Sequence, residues 1–495
     1  MQEADKDAIK AYRSLILPLA LGQFICSYAA TNMNVAISSI ANDLGTTVNG
    51  IQVTITLFTL TMAALMIPGS KLTDIWGRKS CFRIGLIVYG LGGMIAALAP
   101  SLGILTLGYS LLEGIGSALL IPPIYILLTV SFADMKSRAK SFGIISAAAG
   151  IGAAAGPLIG GLITSAISWR ASFIMQVLVV LFIIILTKRI VDPGITGPKP
   201  HFDFMGAILS AAGLFFVVLG ILLSSTYGWF GAEMDFSIGD TVLIPEGGIS
   251  PVWVSVGIGL VILLLFFLHI RSRERHNKEP LVSTHIFRNR TSNLGLVTQN
   301  IQWFIMQGSF FVISVFLQTI RGFNAISTGL VLTPTTIGIL ISSMAARRLA
   351  NKYSQRILIR GGFVLTILGL ILLLWLASAT SPILYFVPGL LLMGLGIGIM
   401  LTSSVNVVQS AFPEKDQGEI SGVSRSVSNL GSALGTSIVG SVLLTTFLPE
   451  TQTFGLALLT VTVIAGIGLV AAILLPPDTA QPGEAIVTGE PGGEA

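Results

Sequence analysis

The stretch FMGAILSAAGLFFVVLGILLS, residues 204–224, contains no charged residue. An α-helix rises about 1.5 Å per residue, so about 20 apolar residues cross the roughly 30 Å hydrocarbon core of a membrane. In lipid, only helices and closed barrels satisfy their own backbone hydrogen bonds. This stretch therefore predicts a transmembrane helix.

Segments of similar length and character recur along the chain. The whole chain is 53% hydrophobic and only 10% charged, whereas ordinary globular proteins carry about 25% charged residues. A soluble protein is therefore excluded, and we predict an all-α integral membrane protein with fourteen transmembrane helices. The other thirteen are expected near residues 14–40, 51–70, 81–99, 103–122, 141–166, 171–188, 251–270, 293–318, 327–346, 357–377, 382–404, 420–446 and 455–475.

The basic residues fall almost entirely on one side of this arrangement. Of the 28 lysines and arginines, all except Arg170 and Arg321 lie in or next to alternate connecting segments. Basic residues stay on the cytoplasmic side of a membrane, so the pattern predicts a multi-pass plasma-membrane protein with both termini in the cytoplasm. Because these residues are spread over seven segments, we expect no nucleic-acid binding.

The connecting segments divide the chain. We predict a cytoplasmic N-terminus at 1–13, a six-helix bundle at 14–200, a two-helix linker insertion at 201–290, a second six-helix bundle at 291–475 and a disordered cytoplasmic tail at 476–495. The insertion contains an outer loop, 225–250, with four acids and no base. A weak repeat, GSKLTDIWGRK (69–79) and ARRLANKYSQR (346–356), agrees with two halves, as in transporters that bind substrate at the midplane.

Four short motifs resemble the major facilitator superfamily, specifically its 14-helix drug:proton antiporter branch. They are LTDIWGRK (72–79), GAAAGPLIGG (152–161), NVAISSI (34–40) and WRASF (169–173). The resemblance implies two six-helix halves with two extra helices between them. It also implies a monomeric secondary active transporter that exports amphipathic or aromatic small molecules by alternating access, with protons as the coupling ion.

Other classes of protein are not indicated. The chain has four histidines, none in a metal-ligand pair within a predicted helix, so we expect no metal site. No GxxxxGK[ST] motif indicates nucleotide binding. We therefore predict that the protein is not an enzyme and has no cofactor, with the proton gradient as its energy source. Uptake or facilitated transport of an organic anion or lipid-like substrate on the same fold remains the alternative.

The resemblance implies gating roles for residues in two of the motifs. In the first, Asp74, Gly77, Arg78 and Lys79 lie at the cytoplasmic mouth, where a carboxylate can hold a helix N-terminus or a neighbouring arginine in one conformational state. The second motif places glycines four residues apart, so that another helix can approach closely, and adds a proline that favours a bend. These residues are Gly152, Gly156, Pro157 and Gly160.

Glu113 is the predicted proton-coupling residue. It is the only acid placed deep in a predicted transmembrane segment, about ten residues from its start. An apolar environment disfavours the charged form of a carboxylate, so such a group can take up a proton. Tyr109, Ser110 and Ser117 share its helical face, and the alternative is that Glu113 bonds to these hydroxyls and only locks helices together.

Polar residues elsewhere in the predicted helices are candidate substrate contacts. Besides Glu113 they are Tyr28, Asn34, Trp303, Gln307 and Arg425. Arg425 could form a charge pair with Glu113 across a central cavity in one state, or could extend to the cytoplasmic surface instead.

The chain departs from the branch it resembles at two positions. Ala29 stands where that branch commonly has Asp, and Ser110 stands where the family usually has Arg. Glu113 itself occupies a position that is usually Gln. We therefore expect proton coupling, if present, to rest on Glu113 rather than on the usual residues.

Overall fold

A computed structural model describes residues 2–131, 135–188, 190, 201–238, 241–350, 352–378, 380–413, 416–443 and 450–476. The chain is built almost entirely of helices in these residues. The α-helices are α1 (Gln2–Asn32), α2 (Ile37–Leu44), α3 (Val48–Trp76), α4 (Arg78–Ala97), α5 (Leu102–Leu105), α6 (Gly114–Ser131), α7 (Met135–Ala166), α8 (Trp169–Thr187), α9 (Phe204–Tyr227), α10 (Pro251–Arg275), α11 (Arg290–Val315), α12 (Ala325–Ala350), α13 (Gln355–Leu376), α14 (Val387–Ser410), α15 (Gln417–Leu443) and α16 (Glu450–Leu474).

Shorter elements complete the fold. Two π-helical segments, Thr106–Glu113 and Phe316–Ile320, continue α5 and α11, and 3₁₀ turns cover Met33–Val35, Thr284–Arg288 and Ile383–Phe386. An antiparallel hairpin pairs β1 (Phe236–Ile238) with β2 (Thr241–Ile244). The predicted outer loop 225–250 therefore contains a hairpin, and the first predicted helix ends earlier than expected, at Asn32.

The predicted all-α membrane architecture is confirmed. Among the described residues, thirteen helices are long and apolar enough to cross a membrane. The other long helix is α15, whose 27 residues contain many serines. It packs against α3, α9, α11 and α16, and most of its serines are buried. Since protein rather than lipid surrounds it, α15 can be less apolar than the other helices and still be a fourteenth span.

The two ends of the bundle differ in charge. We call the end with the α3–α4 turn and residues 271–290 the basic end, and the end with α2 and the hairpin the acidic end. At the basic end the Ser70 hydroxyl donates to the Gly418 carbonyl (3.1 Å) and the Ser283 amide donates to Glu419 (3.1 Å), which joins α3 and the segment before α11 to α15.

Two long helix pairs join the first and second halves of the chain. The helix α7 packs along α12, and α3 packs along α15. The extra helices α9 and α10 pack on one another, with α9 also against α3 and α15. Asp203 caps α9 by accepting from the Gly206 amide (3.0 Å) and also contacts His269 of α10 (2.9 Å). These contacts agree with a linker insertion at 201–290, although the predicted domain boundaries stay predictions.

Candidate functional site

Glu113 lies at the end of the π-helical segment Thr106–Glu113. Glycines bring this segment into backbone contact with α4: a Cβ at Gly92 would lie 2.6 Å from the Gly108 carbonyl oxygen, and a Cβ at Gly108 would lie 2.6 Å from the Ala96 amide nitrogen. Such π-helical turns inside longer helices are frequent at functional sites. This one places a carboxylate between closely packed helices.

The carboxylate of Glu113 is completely buried. Neither oxygen has a hydrogen-bond partner among the described residues. The carboxylate lies against Gly93 of α4 and close to α8. A Cβ added at Gly93 would lie 2.9 Å from Glu113 Oε1 and 3.1 Å from a methyl group of Val177. A buried carboxylate without partners is costly in its charged form, so this conformation favours the protonated acid.

The hydroxyls predicted to share a face with Glu113 bond elsewhere or not at all. Tyr109 donates to the Ala29 carbonyl (3.0 Å) and Ser110 donates to the Thr54 carbonyl (2.7 Å). The Ser117 hydroxyl is buried and interacts with the Cys26 thiol, and among the described residues it has no hydrogen bond to Glu113. In this conformation, therefore, none of the three holds Glu113 in place.

A polar cluster between α1, α4 and α8 surrounds this region. Tyr89 donates to Gln176 Oε1 (2.6 Å) and lies close enough to Glu113 to interact electrostatically. The predicted substrate contact Tyr28 shares a hydrogen bond with the Ser172 hydroxyl (2.7 Å). Tyr28 therefore lies inside the first half of the chain, in the packing between α1 and α8.

A cavity opens between the midplane and the basic end. It comprises about 470 Å³ of empty space, part of it open to solvent. The lining combines small and apolar side chains with two hydroxyls, one indole and one guanidinium, from Ala149, Gly150, Ala153, Leu401, Val405, Ser343, Thr402, Trp303 and Arg425. Of the predicted substrate contacts, Trp303 and Arg425 thus meet at one cavity, to which α7, α11, α12, α14 and α15 contribute.

Arg425 contacts Tyr125 rather than Glu113. Its guanidinium donates to the Tyr125 hydroxyl and lies 4.6 Å from the centre of that ring. Tyr125 is twelve residues after Glu113 in the same span, which corresponds to about 18 Å along the helix axis. The predicted charge pair of Arg425 with Glu113 is absent from this conformation, in which Tyr125 of α6 and Arg425 of α15 join the two halves.

Asn34 and Gln307 lie nearer the acidic end and also join the halves. Gln307 of α11 donates to the Ala30 carbonyl (2.7 Å), and the Asn34 carbonyl accepts from Gln318 Nε2 (2.8 Å). Gln318 Oε1 accepts from the Ser38 amide (2.9 Å) at the start of α2. The acidic end is therefore closed by backbone-directed amide contacts.

The first predicted gating motif forms the turn from α3 to α4. Gly77 adopts φ +93°, a backbone conformation that favours glycine. Asp74 is half-buried near Lys71 and Arg78, and Glu419 of the second half lies close enough to repel its carboxylate electrostatically. Lys79 donates to the Ile190 carbonyl beyond α8. The motif thus contacts the first half through Lys79 and lies close to the start of α15.

The second predicted gating motif lies between α1 and α12. Cβ atoms added at Gly152 or Gly156 would overlap α1 at Phe24 or Thr31, and one added at Gly160 would lie 3.1 Å from Asn32 Cβ. The glycine stripe therefore permits close packing of α7 on α1, as predicted from its spacing.

Pro157 changes the hydrogen bonding of α7. Proline has no N–H, so the carbonyl four residues earlier, on Ala153, loses its helical donor. The Thr31 hydroxyl donates to that carbonyl (3.0 Å). On the opposite side, Thr336 of α12 donates to the Ala154 carbonyl (3.1 Å). Hydroxyls from both halves thus bind the α7 backbone next to the proline.

Sequence reasoning missed several contacts at the acidic end. Asp43 of α2 accepts hydrogen bonds from the Trp169 indole (3.1 Å) and from Arg170. The hydrogen bond from Arg170 lowers the pKa of the exposed Asp43 carboxyl, and the bond from Trp169 adds to this effect. Arg170 also donates to the Ala99 carbonyl (2.9 Å). The WRASF motif carried the signal, but nothing in the sequence paired it with Asp43.

In the part of the chain that the structure describes, no group of three or more His, Cys, Asp or Glu side chains could hold a metal ion. Both cysteines, Cys26 and Cys81, are free and buried.

The family model described as Major Facilitator Superfamily matches residues 19–243 and 197–436. The chain is 26% identical over 429 residues to the Multidrug resistance protein Stp of Mycobacterium tuberculosis, covering 86% of this chain and 75% of that protein.

Two further relatives show similar likeness over most of their length. The chain is 27% identical over 431 residues to the Puromycin resistance protein pur8 of Streptomyces alboniger, covering 86% of this chain and 81% of that protein. It is 24% identical over 430 residues to the Methylenomycin A resistance protein of Bacillus subtilis, covering 87% of each.

Proposed function

Because the chain belongs to the Major Facilitator Superfamily, we propose that it exports amphipathic or aromatic small molecules in exchange for protons. It is a secondary active efflux transporter in a membrane and not an enzyme. The relatives described above are named for resistance to multiple drugs, puromycin and methylenomycin A, which supports small organic molecules as the substrates of this chain too. The fourteen predicted spans and the four sequence motifs support the 14-helix drug:proton antiporter branch.

The observation that carries the proposal of proton coupling is the environment of Glu113. It is a completely buried carboxylate without a hydrogen-bond partner among the described residues, inside a membrane span. Burial of an ionisable group in a membrane is costly, and such groups are functional candidates for that reason. In this proposal Glu113 takes up a proton from outside while the acidic end is open, holds it in this conformation, and releases it towards the basic end when substrate binds and water reaches the carboxyl group.

Coupling requires that protons and substrate favour different conformations. The acidic end is closed by contacts such as Gln307 to Ala30, while the cavity with Trp303 and Arg425 lies towards the basic end. In our proposal the basic end faces the cytoplasm, as do both termini. Substrate then enters the cavity from the cytoplasm, and the halves rock so that the acidic end opens and releases it.

The gating residues act at the helices that join the halves. Pro157 and the glycines at 152, 156 and 160 let α7 slide or bend between α1 and α12, and the turn from Asp74 to Lys79 stabilises one state at the basic end. We propose a monomer as the transporting unit, with the proton gradient as the only energy source, in the plasma membrane and without nucleic-acid partners.

The test is transport in sealed vesicles with an imposed pH gradient, comparing the native chain with Glu113→Gln. Glutamine resembles the protonated acid in shape and charge. We expect gradient-driven export to fall to background in Glu113→Gln, while exchange of labelled for unlabelled substrate persists, because the conformational change itself needs no charge at this position.

The matched control is Glu246→Gln, since Glu246 is an exposed carboxylate in the loop after β2. It should transport as the native chain does. Unchanged gradient-driven export in Glu113→Gln would rule out Glu113 as the coupling residue, and native export that ignores the gradient would favour facilitated transport.

A further inference from the structure

The lining of the cavity carries a positive charge that no acidic lining residue balances. Arg425 supplies its guanidinium, and none of the other lining residues is acidic or basic. Among the described residues no carboxylate lies within ion-pair distance of Arg425, whose contact is with Tyr125. A half-buried cation without a counter-ion inside a membrane protein is costly, so an anion that enters the cavity gains a ready partner.

The guanidinium of Arg425 and the adjacent indole ring of Trp303 indicate which class of ligand the cavity binds. Guanidinium binds carboxylate, sulfonate or phosphate oxygens through two parallel N–H donors. The Trp303 indole lines the same cavity, together with apolar side chains such as Leu401 and Val405, which suits an aromatic or apolar body. Resting on the efflux function proposed above, we infer that the transporter selects amphipathic aromatic monoanions, with Arg425 binding the acid group and Trp303 contacting the ring.

The contact of Arg425 with Tyr125 links substrate binding to the conformation of the transporter. Arg425 belongs to α15 and Tyr125 to α6, so their contact joins the two halves near the basic end. An anion that binds the guanidinium through Nη2 competes with the Tyr125 hydroxyl for that donor. Substrate therefore loosens a contact between the halves, which is the differential interaction by which a ligand shifts a conformational equilibrium.

The charge of the substrate also determines how the membrane potential acts on transport. An anion moving out and a proton moving in carry charge across the membrane in the same sense, so an inside-negative potential drives both. For a cationic substrate the two movements oppose one another. The structure therefore favours a transporter whose export of anions responds strongly to membrane potential.

The test uses permanently charged probes that share one ring system. Proteoliposomes of phosphatidylcholine would transport labelled 2-naphthalenesulfonate, with 2-naphthalenesulfonamide and naphthyltrimethylammonium as neutral and cationic competitors. We expect saturable sulfonate transport, with the sulfonate competing best and the cation worst. Arg425→Gln should raise the KM for sulfonate about ten- to hundredfold, as expected for loss of a hydrogen bond to a charged group, and abolish the order of competitors.

Matched variants separate this effect from damage to the fold. Arg360→Gln removes a cation from α13 that donates to the Ala472 and Ile473 carbonyls outside the cavity, and should keep the order of competitors. Tyr125→Phe keeps the ring and removes the hydroxyl, and should lower the KM for sulfonate because Arg425 is released. Arg425→Lys should retain preference for the anion at reduced affinity.

Several outcomes would overturn the inference. One is that the cation competes best, and another is that the order of competitors is unchanged in Arg425→Gln. A third is that sulfonate transport is lost when phosphatidylglycerol replaces part of the lipid, which would assign the site to a lipid headgroup. Saturable sulfonate transport that ignores the pH gradient would support the anion site while refuting proton coupling, so the two proposals fail separately.

Discussion

Replacing Gly161 with alanine is expected to weaken closure of the acidic end. Gly161 of α7 is buried against Ala325, the first residue of α12. A Cβ at Gly161 would lie 2.6 Å from the Ala325 carbonyl oxygen, whereas ordinary contact begins at 3.4 Å. Since the obstructing atom is backbone, the helices must separate by about 0.8 Å to relieve the overlap.

The cost of this separation sets the size of the effect. Overpacking of this kind costs about 1–3 kcal/mol. In the proposed alternating-access cycle this α7–α12 contact breaks when the acidic end opens, so we expect the cost to apply to the closed state alone. We therefore expect Gly161→Ala to raise the ratio of open to closed molecules about 5- to 150-fold.

Pulsed electron paramagnetic resonance measures that ratio directly. Ile167 follows α7 and Leu384 precedes α14, both at the acidic end and 76% and 73% exposed. Spin labels at these two positions report the distance between the halves there. Both native cysteines are buried, which limits labelling elsewhere. The variant should gain a population at longer distance.

The control is Gly143→Ala in the same helix, because a Cβ there meets no atom within 4 Å. It should leave the distance distribution unchanged. If Gly161→Ala gives the native distribution, with native stability, then the tight contact of α7 with α12 does not hold the acidic end closed and the reasoning is wrong.

Two further predictions concern stability. Thr31→Val should lower the free energy of unfolding by about 1–3 kcal/mol because the Ala153 carbonyl loses its donor. The same change should cost less in a Pro157→Ala background, because position 157 regains an N–H there. Denaturant unfolding of the two single variants and the double variant measures both costs. Equal costs in the two backgrounds would contradict the prediction. Because the pKa of Asp43 is lowered in the folded state, its bond from Arg170 contributes fully to stability above the ordinary Asp pKa of about 4, and this contribution is lost as the pH falls through the lowered pKa. Asp43→Asn should therefore lose part of the stability gained between acidic and neutral pH in thermal unfolding, and an unaltered pH profile would refute the role of this contact.

Much of the fold was predictable because membrane helices follow simple rules of hydropathy. Uncharged runs such as residues 204–224 must be helical in lipid, and thirteen described helices fit that rule. The rule is weakest around α15, where protein replaces lipid, and it does not predict the structure of a connection outside the membrane, such as the β1–β2 hairpin. Hydropathy carries no information about which helices are neighbours.

The candidate site was predictable only in part for the same reason. The charge census identified Glu113 and Arg425, because rare charged residues in apolar helices are visible in one sequence. Their partners are set by tertiary packing: Tyr125 lies 300 residues from Arg425 in the chain, and Gly93 of α4 approaches Glu113 only because neighbouring glycines allow close contact. A census of single residues cannot supply such distances.

The proton released on substrate binding tests the central claim most directly. The purified transporter in weakly buffered detergent solution, with a pH indicator, would receive 2-naphthalenesulfonate at saturating concentration. Because binding of substrate and proton is reciprocally linked, we predict release of up to about one proton per transporter from the native chain and none from Glu113→Gln with substrate still bound. The same release from Glu113→Gln would contradict the account.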